Sequence, residues 1–362
     1  SRVALRIGRT LRGLLRDLDI EFNALIGGKP DAVRKLEAAF GFPAGVFDGR
    51  TFRRIEGLKF AFGTELLPPD AMRRTTMHVC PACLDEDAAG ALGKEGRYGR
   101  WYWELAQYRC CIKHQCLLVP IRGKGGADRN HHFAWHLEGH GDETLVGEPV
   151  SSTELSSYLV NRLAGTVAPS WLSSMPLHAA AKTCEMVGVI MNRGVDVNWR
   201  DVSPNDWVDA GNTGYRQLSL GRDGLVAFLH DRRANAPPEE FGVLKLYGSL
   251  YEFIARTRDT AYAAVADVFR EHILATTVVA PGAMVLGKIV EKRTHHSVRS
   301  ASVEYGFHPT TLRKHLTDIG ILDGAAAALP QDRSLFDAEA HAPFIEQLVE
   351  AMPRKAAQRY LG

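Results

Sequence analysis

Two short cysteine-containing motifs, Cys80-Pro81-Ala82-Cys83 and Cys111-Ile112-Lys113-His114, separated by 27 residues, constrain the fold of this 362-residue chain more than any other feature. A two-residue spacer lets both members of a pair point inward from one tight turn, and zinc takes four such ligands in a tetrahedron. A closed Cys3His set leaves no coordination position for water. One Zn2+ held by Cys80, Cys83, Cys111 and His114 is therefore expected to be structural, not catalytic. A segment this short buries too little apolar surface to stand alone, and a bound ion supplies folding free energy, of order 10 kcal/mol in comparable peptides. Cys110 and Cys116 lie close enough to Cys111 to take its place, and the sequence leaves that choice open. Cys184 stands alone and reads as core.

Other chemistries fit the residues less well. Cys-Pro-Ala-Cys is also the pattern of a dithiol redox pair, which needs a thiol whose pKa is lowered by a helix N-terminus or by cations. Here Asp85, Glu86 and Asp87 follow at once, and anions act in the opposite sense. His132, His136 and His140 recur every four residues, but Gly139 and Gly141 break the helix that a second metal site would need. The Glu within His136-Leu-Glu-Gly-His140 is displaced from the position beside the first His where a zincin carries its general base. Gly282-Ala-Met-Val-Leu-Gly287-Lys288-Ile289 approaches a phosphate-binding loop, yet Ile289 stands where a hydroxyl would coordinate magnesium. No assembled active site emerges, and the chain is read as a non-enzyme with one zinc site.

Lys+Arg 44 against Asp+Glu 42 leaves a net charge of only +2, so any surface that attracts nucleic acid must be local. Residues 1–60 carry 12 Lys+Arg against 7 Asp+Glu. At about 100° per residue, Val3, Ile7, Leu11, Leu14, Leu15 and Leu18 share one arc, and Arg2, Arg6, Arg9, Arg12 and Arg16 share the opposite one. Arg6 and Arg9 are the candidate DNA contacts on this face, with a merely solvated arginine face as the rival. Gly8 and a capping Thr10 would divide the stripe into two helices. The longest apolar runs, such as Val278-Val279-Ala280 and residues 325–329, fall far short of the ~18 needed to cross a bilayer. No membrane association is expected, and the anticipated compartment is the cytoplasm, where thiols stay reduced.

The expected fold is mainly α and multidomain. Residues 1–67 read as an N-terminal helical module of helix-turn-helix type, which includes an amphipathic stretch at 31–40 carrying Val33, Leu36, Ala39 and Phe40. Residues 68–125 read as the zinc-finger or ribbon module, opened by Pro68-Pro69 and closed by a turn or linker at 122–126. Residues 126–224 mix short apolar runs with Gly, Ser and Asn and read as a mixed linking region. Residues 225–362 regain a helical period through Leu244, Tyr247, Leu250, Tyr251 and Ile254, then Val265, Val268, Phe269 and Ile273, as a helical bundle.

Within that last segment, residues 297–305 can form a helix, Gly306-Phe307-His308 a turn, and residues 309–319 a second helix opened by proline. The spacing suits a helix-turn-helix at about 297–320. Ser302 is small where the helices must approach, and Ala301, Tyr305, Phe307, Leu312 and Leu316 form the expected shared core. Thr310, Thr311, Arg313 and Lys314 are left facing outward as candidate DNA contacts. Lys288, Lys292, Arg293, His295, His296 and Arg299 add positive charge just before it. Residues 355–362 read as the first helix of a further such motif, cut at its glycine, and with Ser at position 1 they suggest a fragment of a longer protein.

Taken together these residues resemble the TniQ family, the targeting subunits of bacterial transposons. The resemblance rests on Cys80-Pro-x-Cys83-Leu84, the acidic pair Glu86-Asp87, Arg100-x-x-Trp103, and Cys111-x-Lys-His114 beginning eight residues after that Trp. It extends to the N-terminal helices, to Phe241-Gly242 through His272-Ile273-Leu274, and to Tyr305-Gly306-Phe307-His308-Pro309. Ile112 departs from the family's usual Pro. What the resemblance implies is a non-catalytic adaptor that selects an insertion site, by binding double-stranded DNA or by joining an RNA-guided CRISPR effector complex. Its implied partners are an AAA+ transposition ATPase of the TniB/TnsC type and, indirectly, a DDE transposase; homodimers occur among relatives. The rival reading is a zinc-stabilised helix-turn-helix transcription regulator.

Overall fold

The computed structural model describes residues 1–74, 76–121, 131–140, 145–237 and 242–350. The expected linker at 122–126, Phe241 and the expected terminal helix at 355–362 lie outside the described residues. The chain resolves into two compact units, Ser1–Leu225 and Val226–Gly362. Helices predominate in both, accompanied by several small sheets. No helix among the described residues is long and apolar enough to cross a membrane.

The first unit opens with four short helices, α1 (Arg2–Arg6), α2 (Leu11–Asp17), α3 (Phe22–Ile26) and α4 (Pro30–Ala39). Thr10 caps α2 by accepting from Gly13 N at 3.0 Å, and Gly8 takes a left-handed φ of 65°. The break at this point divides the arginine stripe. It also corrects the expected core arc: Leu15 is buried, but Val3 and Ile7 are exposed, and Ala4 is the buried residue of α1. On α4 the inward face carries Ala32 and Val33 with a buried Glu37, whereas Ala39 is exposed. The Glu37 carboxylate accepts from Gly45 N and Phe47 N and pairs with Arg34, which fastens the following loop. Burial opposes its ionisation, but these donors prevail and hold its pKa below the ordinary glutamate value.

The segment after α4 is a sheet, not a continuation of the helical pattern. β1 (Arg53–Arg54), β2 (Phe60–Phe62) and β3 (Glu65–Leu67) pair antiparallel in that order. Gly57 and Gly63, both at positive φ, turn the chain between strands, and the aromatic side chains of β2 suit a buried pleated surface. Phe62 stacks on Trp101 at 4.7 Å between centroids.

Next come β4 (Met77–Val79), α5 (Pro81–Ala88), β5 (Cys110–Cys111), β6 (Cys116–Leu117), β7 (Val119–Ile121) and α6 (Phe133–Gly139). The unit's main helical core follows in α7 (Glu154–Leu163), α8 (Trp171–Ser174), α9 (Leu177–Arg193) and α10 (Pro204–Ser219). Residues expected to form a mixed linker thus supply the longest helices of the unit. Glycines here are packing devices. A Cβ on Gly188 would lie 1.7 Å from Ala210 O, and one on Gly214 would lie 1.9 Å from Cys184 O, so α9 and α10 approach backbone to backbone. Thirteen residues of α9 are buried. A helix buried over most of its circumference shows little amphipathic period, which is why the sequence pattern was faint. Arg162 ties α7 to the sheet through Glu65 at 2.7 Å, and Glu65 also accepts from Leu177 N at the start of α9.

The units divide within α11 (Arg222–Ala234). The second unit continues with α12 (Val243–Arg256) and α13 (Ala263–Thr276), whose core includes Tyr247, Leu250, Ile254, Val265, Val268, Phe269 and Ile273. Leu244, expected inside, is 60% exposed, and Leu246 is buried instead. Gly248 kinks α12 with φ 49° and ψ −135°, which resets the helical phase. Residues 282–289 form a hairpin, β8 (Met284–Val285) against β9 (Lys288–Ile289), with Leu286 and Gly287 at positive φ. This is strand-turn-strand, whereas a phosphate-binding loop leads from strand to helix.

The chain then runs through β10 (His295–Ser297), α14 (Val298–Tyr305), α15 (Pro309–Asp318), α16 (Gly324–Ala328), β11 (Leu335–Asp337) and α17 (Ala338–Glu350), with β10 and β11 paired antiparallel. Ser297 and Ser300 form a reciprocal cap at the start of α14, and Gly306 ends the helix in the left-handed region. Val298, Ala301, Leu312, Leu316, Leu322, Phe336 and Ile345 make one core, with Tyr305 and Phe307 packed against it. Ser302 is buried where α14 must lie close to its neighbours, its hydroxyl returned to Val298 O. These packed helices resemble a helix-turn-helix.

Candidate functional site

A Cys3His cluster able to chelate a metal ion forms where the two motifs meet. β4 pairs with β7, which brings the chain before Cys80 alongside the chain after Cys116. Cys80 is the N-cap of α5, its Sγ accepting from Cys83 N at 3.4 Å, and Pro81 occupies a first-turn position where its missing N–H costs little. The second motif is a hairpin turn between β5 and β6, closed by Gln115 N donating to Cys111 O at 2.9 Å.

One ligand atom from each of Cys80, Cys83, Cys111 and His114 lies within 4.8 Å of all the others. Cys83 Sγ is 3.7 Å from Cys111 Sγ, and His114 Nδ1 is 3.4, 3.3 and 3.6 Å from the sulfurs of Cys80, Cys83 and Cys111. Tetrahedral zinc with bonds of about 2.3 Å to sulfur and about 2.0 Å to nitrogen requires edges of roughly 3.8 and 3.5 Å. The donor set and its spacing fit zinc. The three thiols are coupled: hydrogen bonds from Cys80 and Cys83 draw the Cys111 thiol below its ordinary pKa, and the same contacts push the thiols of Cys80 and Cys83 up.

The neighbouring cysteines separate by strand geometry. Successive residues of β5 face opposite sides, and Cys110 turns away to Ser156 Oγ at 3.2 Å. Cys116 lies opposite Cys111 in the hairpin, and its sulfur is 3.6 Å from Cys80 Sγ, but it does not join the mutually close four. Cys184 is fully buried on α9.

Side chains around the cluster explain its stretch of motif residues. Glu86, three residues after Cys83 on α5, accepts from His114 Nε2 at 3.0 Å and pairs with Lys113. His114 thereby presents Nδ1 to the sulfurs and has its ring orientation fixed by a carboxylate. Asp87 receives both Arg100 nitrogens, at 2.6 and 2.9 Å, and the Arg100 guanidinium lies over the rings of Tyr98 and Trp103. Arg73 spans the excursion between the motifs, donating to the carbonyls of Trp103, Ala106 and Tyr108. Burial, and then the nearby Arg109 charge, push its pKa down to about 9, with Glu185 acting the other way. Arg109 in turn pairs at 2.6 Å with Glu185, fully buried on α9, and so fastens the module to the helical core. The roles of Glu86, Arg73 and Arg109 were missed in sequence. Only Glu86 carried a local signal, the i, i+3 spacing that places it on the same helical face as Cys83.

Residues 1–118 match the TniQ family model. That segment carries both motifs and the acidic and aromatic residues that brace them. The stretches at 242–274 and 305–309 lie outside the match. A comparison with curated proteins finds no match to the chain.

The expected DNA contacts are placed in two separate regions. Arg6 pairs with Glu95 at 3.0 Å and Arg9 with Asp17 at 3.1 Å, both on the surface. Thr310, Thr311 and Lys314 are exposed on α15. Arg313 departs from the outward arrangement: its Nη2 donates to Leu329 O at 2.8 Å and to Ser334 Oγ at 3.3 Å, bracing the segment after α16. An arginine is long enough to reach back across its own helix edge and satisfy a carbonyl there. Among the described residues one His/Cys/Asp/Glu group has metal-ligand spacing. Of the histidine ladder, His132 Nδ1 serves as the cap of α6, accepting from Trp135 N at 3.1 Å.

Proposed function

We propose that this protein is a non-catalytic adaptor for target selection in DNA transposition, built around one structural Zn2+ held by Cys80, Cys83, Cys111 and His114. The observation that carries the reading is the coincidence of the TniQ match over residues 1–118 with a Cys3His cluster that lies, with its supporting Glu86, Asp87 and Arg100, inside the matched span. When bound, the ion joins two distant turns and contributes folding energy. Glu86 orients His114, Asp87 and Arg100 brace α5, and Arg109 with Glu185 transmits that rigidity to the helical core.

In the second unit, α15 is the segment that would lie in the major groove, with Thr310, Thr311 and Lys314 donating to bases or phosphates. Arg6 and Arg9 would reach phosphates only by exchanging surface carboxylate partners, a small cost because exposed ion pairs contribute at most about 1 kcal/mol. An AAA+ ATPase is the implied partner, with the DDE transposase recruited through it. Co-purification with the ATPase encoded beside this protein, with and without duplex DNA, tests the reading. Retention of the ATPase supports the adaptor. DNA binding with no retention of the ATPase would replace it by the zinc-stabilised transcription regulator.

A further inference from the structure

In the second unit a cleft of about 580 Å³ opens along α14, from Ser297 to Glu304, against the end of α13 and residues 332–335. Arg233, Arg293, Arg299 and Arg333 all line it. Two carboxylates, Glu304 and Asp332, share the lining, and Glu304 is already engaged by Arg293 at 3.1 Å. Cationic charge therefore exceeds anionic charge in a concave site, in a chain whose overall charge is nearly balanced. Arg100, Arg109 and Arg162 each have a matched carboxylate, whereas Arg233 and Arg299 make no side-chain hydrogen bond or ion pair to another described residue. Arg293 is 15% exposed, and its Nε is buried without a hydrogen-bond partner, a costly arrangement unless something completes it.

We propose that this cleft binds the phosphate backbone of duplex DNA, through Arg233, Arg293 and Arg299. The inference rests on the DNA-binding reading above and specifies where the backbone runs. Guanidinium forks match phosphate oxygens in pairs and cannot lose their charge at neutral pH. Position favours backbone over base. In a helix-turn-helix the second helix enters the major groove while the first crosses the backbone, and the cleft lies on α14, the first helix. The exposed face of α15 then reads the groove, and the arginine cleft fixes register by charge, the usual division between specifying and positioning contacts.

Fluorescence anisotropy of the full chain with a labelled random-sequence duplex, across a salt series, tests the assignment. The double variant Arg233→Ala with Arg299→Ala should reduce the slope of log affinity against log salt by about 1.8, about 0.9 for each lost phosphate contact, and weaken binding at least about tenfold at 0.1 M salt. Arg299→Ala alone, at an exposed position, should lower the slope by about 0.9 and provides the reading if the double variant melts early. Arg299→Lys, which keeps the charge, should preserve the slope. An unchanged slope in both alanine variants, while the unmodified chain binds the duplex, overturns the cleft assignment and leaves the DNA-binding reading intact. Absence of duplex binding by the unmodified chain overturns both.

Discussion

Glu86 on α5 accepts from His114 Nε2 at 3.0 Å, so the ring's other nitrogen, Nδ1, is the one presented to Cys80, Cys83 and Cys111. Removing such a supporting carboxylate typically costs 10–100-fold in metal affinity while leaving the ligands in place. Glu86→Ala should therefore retain zinc at saturating metal but lose it to a competing chelator at about 10- to 100-fold lower chelator strength. Equal retention by the variant and the unmodified protein in that competition would show that the contact does not tune the site.

Substituting a ligand should be more severe. Cys83 is buried, contacts Cys111 and His114, and donates its backbone N–H to Cys80 Sγ. Cys83→Ser should abolish stoichiometric zinc on metal analysis and unfold the module, seen as loss of amide protection across residues 77–121. Stripping zinc from the unmodified protein should do the same. A purified protein with no zinc and an intact module would reject the structural-metal assignment.

Gly188→Ala should destabilise the first unit by about 3 kcal/mol or more, because a Cβ would lie 1.7 Å from Ala210 O and the two helices would have to separate. The helix-propensity gain of about 1 kcal/mol from Gly to Ala is too small to offset this. Gly214→Ala should behave alike, since its Cβ would meet Cys184 O at 1.9 Å. Chemical denaturation gives the comparison directly.

The second unit should weaken in mild acid. His272 is 5% exposed, lies 2.6 Å from Tyr247 Oη, and has a pKa lowered to about 4 by burial and then by the neighbouring His230 and Arg233. In the unfolded chain it titrates near 6.5. Between those values the unfolded state binds more protons, so stability present above pH ~6.5 is lost as pH falls towards 4, by at most about 3 kcal/mol from this residue. His272→Gln should flatten that part of the stability-versus-pH curve. An undiminished slope in the variant would place the titration elsewhere.

Arg313 and Lys314 are adjacent but should respond differently to alanine. Arg313→Ala removes hydrogen bonds to Leu329 O and Ser334 Oγ and should cost about 1–2 kcal/mol of stability. Lys314→Ala, at an exposed position, should leave stability within about 0.5 kcal/mol and lower the salt slope of DNA binding by about one. Identical effects of the two substitutions in melting and in anisotropy would contradict the distinct orientations.

What was legible in sequence was whatever local rules govern. The spacing of Cys80 with Cys83 and of Cys111 with His114 specified two turns with inward ligands, and Ser297, Gly306 and Pro309 marked the helix boundaries of α14 and α15. Amphipathic α13 showed its buried Val265, Val268, Phe269 and Ile273 by their period. Each of these signals depends on bond geometry within a few residues, so no distant partner is needed to read it.

Tertiary structure decided the rest, because several outcomes depend on which groups distant parts of the chain bring together. Whether Cys110, Cys111 or Cys116 faces His114 follows from the strand alternation and hairpin register of β5 with β6. Whether Arg313 meets solvent or a carbonyl depends on where residues 329–334 pass. The packing of α9 against α10 was hidden because small residues permit close approach without a strong periodic hydrophobic stripe, and their meaning appears only when Gly188 meets Ala210. A side chain's type limits the interactions open to it, and the folded chain selects among them by supplying the partner and excluding the water.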